Sequence, residues 1–281
     1  MGDDTKRSIL ITGCSSGIGY AAAHGLAERG WQVFATCRKE EDCDRLAAEG
    51  FTTFRLDYED PPSIAAAFAD TMAANGGRLD AVFNNGAYGI PGAVEDLPME
   101  ALHAIFQANV FGWHELIRLA LPVMRAQGHG RIVQNSSVLG FTALKYRGAY
   151  TSTKFAVEGL TDTLRLELRG TGIHVVLIEP GPIDTKIRIN SYPHFKKWID
   201  WQGSAHSETY ETKLIPRLEA ERIDAPFELP PAAVVAKLVH ALEAPRPRPR
   251  YYVTVPTHVM GLARRLLSTR LMDALTARAS S

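Results

Sequence analysis

Short apolar, β-branched runs at 8–12, 32–36, 52–56, 79–83, 131–135, 174–178 and 251–255 alternate with helix-spaced stretches such as 18–29, 63–74, 99–126 and 149–168. Runs of this length with no polar face read as strands buried on both sides, and the stretches between them read as crossovers. The alternation predicts βαβ units. Right-handed crossovers then give a doubly wound parallel sheet of seven strands with helices on both faces, an α/β fold. With no repeat and no linker, residues 1–281 are expected to form one domain.

Two stretches break the rhythm. Residues 186–230 lack strand periodicity yet carry Tyr192, Phe195, Trp198, Trp201 and Tyr210, which reads as a long functional loop inserted over a cleft. With Tyr88, Leu139, Phe141 and Tyr146, these aromatics predict an apolar pocket. Residues 257–277 read as one final helix in which Arg264, Arg265 and Arg270 stand among leucines. Packing on its own domain or on a partner is the expected use of that helix, with peripheral contact to a membrane surface as the alternative. The Pro-Arg alternation at 245–250 reads as a stiff extended lead into the last strand.

Bulk properties narrow the function classes. Lys plus Arg and Asp plus Glu both number 31, a formal net charge of zero, so no global field draws the chain to nucleic acid. Cys14, Cys37 and Cys43 form neither a disulfide framework nor a zinc pattern, and no histidine spacing suggests a metal site. The amino terminus, MGDDTKRS, lacks the apolar core of a signal peptide, and Lys6 stands where a myristoylation motif needs Ser or Thr. No apolar run is long enough to span a bilayer. A cytoplasmic location is the expectation.

The first strand runs into Thr12-Gly13-Cys14-Ser15-Ser16-Gly17-Ile18-Gly19, and a helix follows. Gly13 allows a tight turn, Gly17 close approach of a pyrophosphate and Gly19 close packing of helix on sheet, while the helix N-terminus offers N–H groups to phosphate. The chain is therefore expected to be Rossmann-like and to bind a dinucleotide through Gly13, Ser15, Ser16, Gly17, Ile18 and Gly19. No acid stands at the tip of the second strand to bond a ribose 2′-hydroxyl; Arg38 and Lys39 stand there instead. A guanidinium can grip a 2′-phosphate in bidentate fashion, so NADP(H) is expected over NAD(H), which remains possible.

Tyr150 and Lys154 lie four residues apart in a helical stretch and so share a face. Ser137 lies thirteen residues before Tyr150, just beyond the fifth strand, and Asn109 lies in the preceding helical stretch. Carbonyl reduction needs a hydride on carbon and a proton on oxygen, the latter from an acid titrating near working pH. Free tyrosine titrates near 10. A cation about 4 Å away supplies on the order of 4 kcal/mol at an effective dielectric near 20, enough to bring the phenol to neutrality. Lys154 is the expected source of that charge, and Ser137 would donate to the substrate oxygen.

The GxxxGxG spacing and this ordered set resemble the TGxxxGIG and YxxxK motifs of the short-chain dehydrogenase/reductase family, closest in flavour to its retinol and hydroxysteroid dehydrogenase branch. The resemblance implies an Asn-Ser-Tyr-Lys tetrad of Asn109, Ser137, Tyr150 and Lys154, with Asn109 holding a water linked to Lys154, and Lys154 also bonding the nicotinamide ribose. It implies that Asp57 meets the adenine. Asn84-Asn85-Gly86-Ala87, like the family's NNAG with its last two residues exchanged, places Asn85 and Gly86 on the cofactor. Pro180, Gly181, Ile183 and Thr185 stand where the family's PGxxxT segment meets the nicotinamide. A lipophilic secondary alcohol or ketone is the implied substrate, and a homodimer or homotetramer built on 99–126 and 149–168 the implied assembly. Two other readings compete: a non-catalytic sensor of NADP redox state, which would need no activated tyrosine, and an NAD(P)-dependent epimerase or dehydratase, which would carry a different glycine spacing.

Overall fold

The computed structural model describes residues 6–220 and 226–279. The expectations for the first five residues, and part of the 186–230 stretch, lie outside them. The strands are β1 (Ser8–Ile11), β2 (Gln32–Cys37), β3 (Thr52–Arg55), β4 (Ala81–Asn84), β5 (Gly130–Asn135), β6 (Ile173–Glu179) and β7 (Arg250–Tyr252). They form one sheet in the order β3-β2-β1-β4-β5-β6-β7, with every neighbouring pair parallel. The order reverses between β1 and β4, the switch point at whose carboxyl strand ends sheets of this kind place their ligand crevice.

The helices are α1 (Gly17–Ala27), α2 (Glu40–Ala48), α3 (Pro61–Ala74), α4 (Met99–Phe106), α5 (Gly112–Gln127), α6 (Gly148–Glu167), α7 (Ile187–Trp198), α8 (Ser207–Thr209), α9 (Ile215–Glu219), α10 (Ala232–Glu243), α11 (Val255–Leu266) and α12 (Thr269–Ala279). Alternate residues of each strand serve opposite faces. Leu10, Phe34, Val82 and Ile132 join the core beneath α3, α5 and α6. Ile9, Ile11, Val33, Phe83 and Val133 join the core beneath α1, α2 and α10. Burial on both faces is why these strands read as unbroken apolar runs.

Four expectations are corrected. Residues 186–230 are not a structureless loop, since α7, α8, α9 and a π-type turn at Tyr210–Leu214 fill most of the described part. Phe195 and Tyr210 are fully buried in the main core. They pack the segment down and are unavailable to line a pocket, and the Tyr210 hydroxyl holds the Ala93 N–H at 2.7 Å and bonds Asp96. The expected helix at 99–126 is interrupted by a wide, π-type turn at Gln107–Phe111. The expected helix at 257–277 is two helices, because Leu267 adopts extended backbone between α11 and α12. The lead into β7 is bent at residues 245, 246 and 249 rather than stiffly extended, and the Pro249 carbonyl accepts from the Leu177 N–H at 2.9 Å.

Candidate active site

Three turns at the carboxyl ends of β1, β4 and β5 meet at the crevice. Gly13 and Gly17 have φ of +70° and +58°, the left-handed region that favours glycine. A Cβ on Gly13 would lie 2.6 Å from the Gly86 Cα, and one on Gly19 would lie 2.2 Å from the Gly13 carbonyl oxygen. The β1 turn, the β4 turn and the start of α1 are therefore nested with no room for a side chain between them. Ser16 opens α1 from extended backbone without a side-chain cap, which leaves first-turn N–H groups for an anion. This cradle fits a dinucleotide pyrophosphate. Gly19→Ala is expected to cost on the order of 1–3 kcal/mol as an overpacking change and to weaken dinucleotide binding; thermal unfolding and a binding titration check both.

The Thr12 hydroxyl oxygen accepts the Asn85 and Gly86 N–H groups at 2.9 and 3.1 Å. The Asn85 amide donates to the Thr12 carbonyl at 2.9 Å and accepts from the Asn135 amide at 2.8 Å. These bonds fix the ends of β1, β4 and β5 relative to one another. Ser136 and Val138 donate backbone N–H groups to the Ile178 and Pro180 carbonyls, both at 2.8 Å, which brings the Ser137 turn beside the Pro180-Gly181 segment. Ile183 is buried, and Thr185 lies against Gly17, where an added Cβ would meet its Cγ2 at 3.2 Å.

Asn109 sits in the π-type turn, a distortion frequent at functional sites. Its side chain is buried; it donates to the Tyr88 carbonyl at 2.9 Å and to the Thr153 hydroxyl at 3.2 Å, and it accepts the Tyr88 N–H at 3.2 Å. Its amide therefore anchors the loop after β4 to α6, and it makes no direct contact with Lys154 among the described bonds.

Tyr150 and Lys154 share a face of α6. The Lys154 ammonium donates to the Asn135 carbonyl at 2.8 Å and lies 4.2 Å from the Trp113 ring centroid and 5.4 Å from that of Tyr150. Tyr150 is half-buried, with the Ser137 side chain near enough to its hydroxyl to favour the phenolate. Ser137 in turn accepts the Leu139 N–H at 3.1 Å. Burial raises the Tyr150 phenol well above its ordinary value, and the neighbouring Ser137 hydroxyl only partly offsets that. Burial lowers the Lys154 ammonium to about 7, opposed by Glu158. The lysine-lowered phenol expected from the sequence is thus not what these residues produce by themselves. Desolvation of a phenolate here outweighs the nearby cation.

Arg38 and Lys39 are exposed at the end of β2. The Asp57 carboxylate accepts the Glu59 N–H at 3.0 Å, and the Asp57 N–H donates to Ser63 at 2.9 Å, which holds the turn after β3. Helix α7 crosses over these loops. His194 stacks on Tyr88 with centroids 3.8 Å apart and planes within 9°, and Arg38 is close enough to depress the His194 imidazole, which burial takes down to about 4. Trp113 was missed in the sequence, although its indole N–H donates to the Gly86 carbonyl at 2.8 Å and its face receives Lys154. Its only signal is its place one helical turn beyond Asn109. Asn135 and Thr12 read as plain strand ends.

The short chain dehydrogenase family profile matches residues 7–195. The chain is 38% identical over 270 residues to the uncharacterized oxidoreductase YbbO of Escherichia coli K12, covering 96% of this chain and 94% of that protein. It is 32% identical over 268 residues to human 17-beta-hydroxysteroid dehydrogenase type 1, covering 88% of this chain and 77% of that protein. A short-chain dehydrogenase from Streptomyces avermitilis superposes with a TM-score of 0.76 at 26% identity, covering 99% of this chain and 98% of that one. The nested glycine cradle, the parallel sheet and these relatives agree: the chain belongs to the short-chain dehydrogenase/reductase family, oxidoreductases that act on CH–OH groups with a nicotinamide dinucleotide.

Proposed function

We propose that this protein is an NADP(H)-dependent reductase or dehydrogenase of a lipophilic secondary ketone or alcohol, with Tyr150 as its general acid and base. The observation that carries the reading is the Tyr150 ring 5.4 Å from a buried Lys154 ammonium, with Ser137 near its hydroxyl, beside a glycine cradle that leaves room only for backbone. When bound, the nicotinamide gives or takes the hydride. Gly13, Ser15, Ser16, Gly17, Ile18 and Gly19 would hold the pyrophosphate; Asn85, Gly86, Pro180, Gly181, Ile183 and Thr185 would border the nicotinamide half, and Asp57 the adenine.

The residues divide the proton work. Ser137 accepts a backbone N–H, and its hydroxyl, which faces Tyr150, would turn its hydrogen to a substrate oxygen. Tyr150 stays protonated at neutral pH because burial raises it, which suits donation to an alkoxide as hydride arrives. Lys154, titrating near neutrality, restores that proton. Asn109 fixes the loop that walls the site, and it keeps α6 in register through Thr153. Exposed Phe111, in the π-type turn before α5, and exposed Phe155, on α6, support a homodimer or homotetramer through the long helices.

Arg38 supports NADP(H), because a guanidinium stands where an acid would favour NAD(H). Arg38→Gln is expected to raise the KM for NADPH by about tenfold to a hundredfold, the loss of one charge-assisted contact of roughly 1.5–3 kcal/mol, with little change for NADH. Steady-state KM values for both dinucleotides check this. A wild-type preference for NADH would reject the cofactor assignment.

A further inference from the structure

Helix α11 carries a ridge that nothing among the described residues covers. Val255, Val259, Leu262 and Leu266 are 54, 53, 61 and 72% exposed. At about 100° per residue these positions fall within roughly 60° of one another on the helix, so they form a continuous aliphatic line. Leu267 and Leu271 continue the exposed apolar surface through the break into α12. Arg264, Arg265, Arg270 and Arg278 are exposed along the same two helices, and Asp273 is the only acid between residues 255 and 279.

The ridge is fixed beside the candidate active site. A Cβ on Gly181 would lie 2.2 Å from the Thr254 hydroxyl and 2.9 Å from that of Thr257, so the start of α11 is pressed onto the Pro180-Gly181 segment. Farther along, a Cβ on Gly261 would meet the Tyr252 ring at 2.5 Å, and Tyr252 packs on Phe141 with centroids 5.5 Å apart, just past the Ser137 turn. The helix thus stands rigidly on two of the loops that border the site.

We propose that α11 and α12 form a peripheral docking surface for an anionic lipid bilayer, with the aliphatic ridge entering the acyl boundary and the arginines lying among the headgroups. A narrow line of aliphatic side chains with Arg265 at its side, continued by Arg270 and Arg278 on α12, matches an interfacial surface. A second copy of this chain is a poorer occupant: a two-fold contact on this surface sets arginines against arginines with only Asp273 to offset them. Docking would bring the mouth of the site to the membrane plane, where apolar alcohols and ketones partition. The surface stands independently of the substrate reading, since it rests on exposure and charge alone.

Flotation of the full-length protein in a density gradient tests it, with vesicles of phosphatidylcholine alone and of phosphatidylcholine mixed with phosphatidylglycerol. The wild-type protein is expected to float with the anionic vesicles and less with the neutral ones, each arginine near the surface contributing roughly fivefold in partitioning. Raised salt should weaken the anionic binding. A variant carrying V259S, L262S and L266S, three exposed positions, should lose on the order of a hundredfold in partitioning, as expected for half burial of three aliphatic side chains. It should keep its circular dichroism spectrum and its turnover of a small water-soluble ketone. Two results overturn the proposal: wild-type protein that stays at the bottom of both gradients, or a variant that floats unchanged. Sedimentation showing that the same substitutions split a homodimer would reassign the ridge to self-association.

Discussion

Tyr150→Phe is expected to lower kcat/KM for ketone reduction by on the order of 10²–10⁴-fold, the usual contribution of a positioned general acid, while dinucleotide affinity stays within a few-fold of wild type. The phenyl ring keeps its place on α6 beside Lys154 and fills nearly the same volume, so only the hydroxyl and its proton are lost. NADPH absorbance reads the turnover, and a fluorescence titration reads the binding. Unchanged turnover would remove Tyr150 from the chemistry and return the protein to a sensor of the dinucleotide. The pH dependence follows from the same two groups. Tyr150, raised by burial, remains a donor across the neutral range, whereas Lys154, lowered to about 7, sheds its proton there. Reduction consumes a proton, so its kcat/KM should fall as pH rises through about 7. Oxidation, which must pass a proton outward, should rise over the same interval.

Those two directions could not be read from the chain. Tyr150 and Lys154 were legible because a four-residue step fixes a shared helix face whatever surrounds it. The degree to which each is desolvated depends on Trp113, Asn135 and the Ser137 turn, which come from other elements. The sheet was legible for the opposite reason: residues such as Ile9 to Ile11 and Val33 to Ala35 are buried on both faces, so the signal is local and strong. The glycine turn was equally plain, because φ at Gly13 and Gly17 and the Cβ contact at Gly19 leave no other residue as a fit. Helix α7 was hidden by Pro193 in its interior, a residue that ordinarily ends a helix. Its core contacts through Phe195 are long-range and have no periodic trace. The break between α11 and α12 also escaped, since no glycine or proline marks it.

The least legible feature carries the second large prediction. Arg250, at the start of β7, donates to Glu158, to Glu179 at 2.5 Å and to Asp162 at 2.6 Å. The acids lie on α6 and at the end of β6, between 71 and 92 residues away in sequence, so no motif announces the cluster. Glu179 is fully buried, and the Glu158 side chain is only 8% exposed. Burial raises both carboxyls above the ordinary carboxylate range, and Arg250 pulls both back down. Removing the guanidinium leaves two adjacent buried carboxyls uncompensated, so Arg250→Gln is expected to cost about 3–5 kcal/mol. The sign with pH is fixed by linkage. Without the arginine, the folded chain holds protons that the unfolded chain releases above the ordinary carboxylate range, so stability falls as pH rises through neutrality. The penalty should therefore be smallest in mild acid and largest near pH 8, and adding E158Q and E179Q should recover part of it. Urea unfolding at both pH values checks the magnitude and the slope. A small penalty that does not change with pH would mean that the cluster is hydrated and Arg250 dispensable. Because Glu158 lies one turn beyond Lys154 on α6, the same clasp ties the helix bearing the candidate tyrosine to the sheet edge, and the Arg250→Gln variant should lose turnover at temperatures well below its unfolding midpoint.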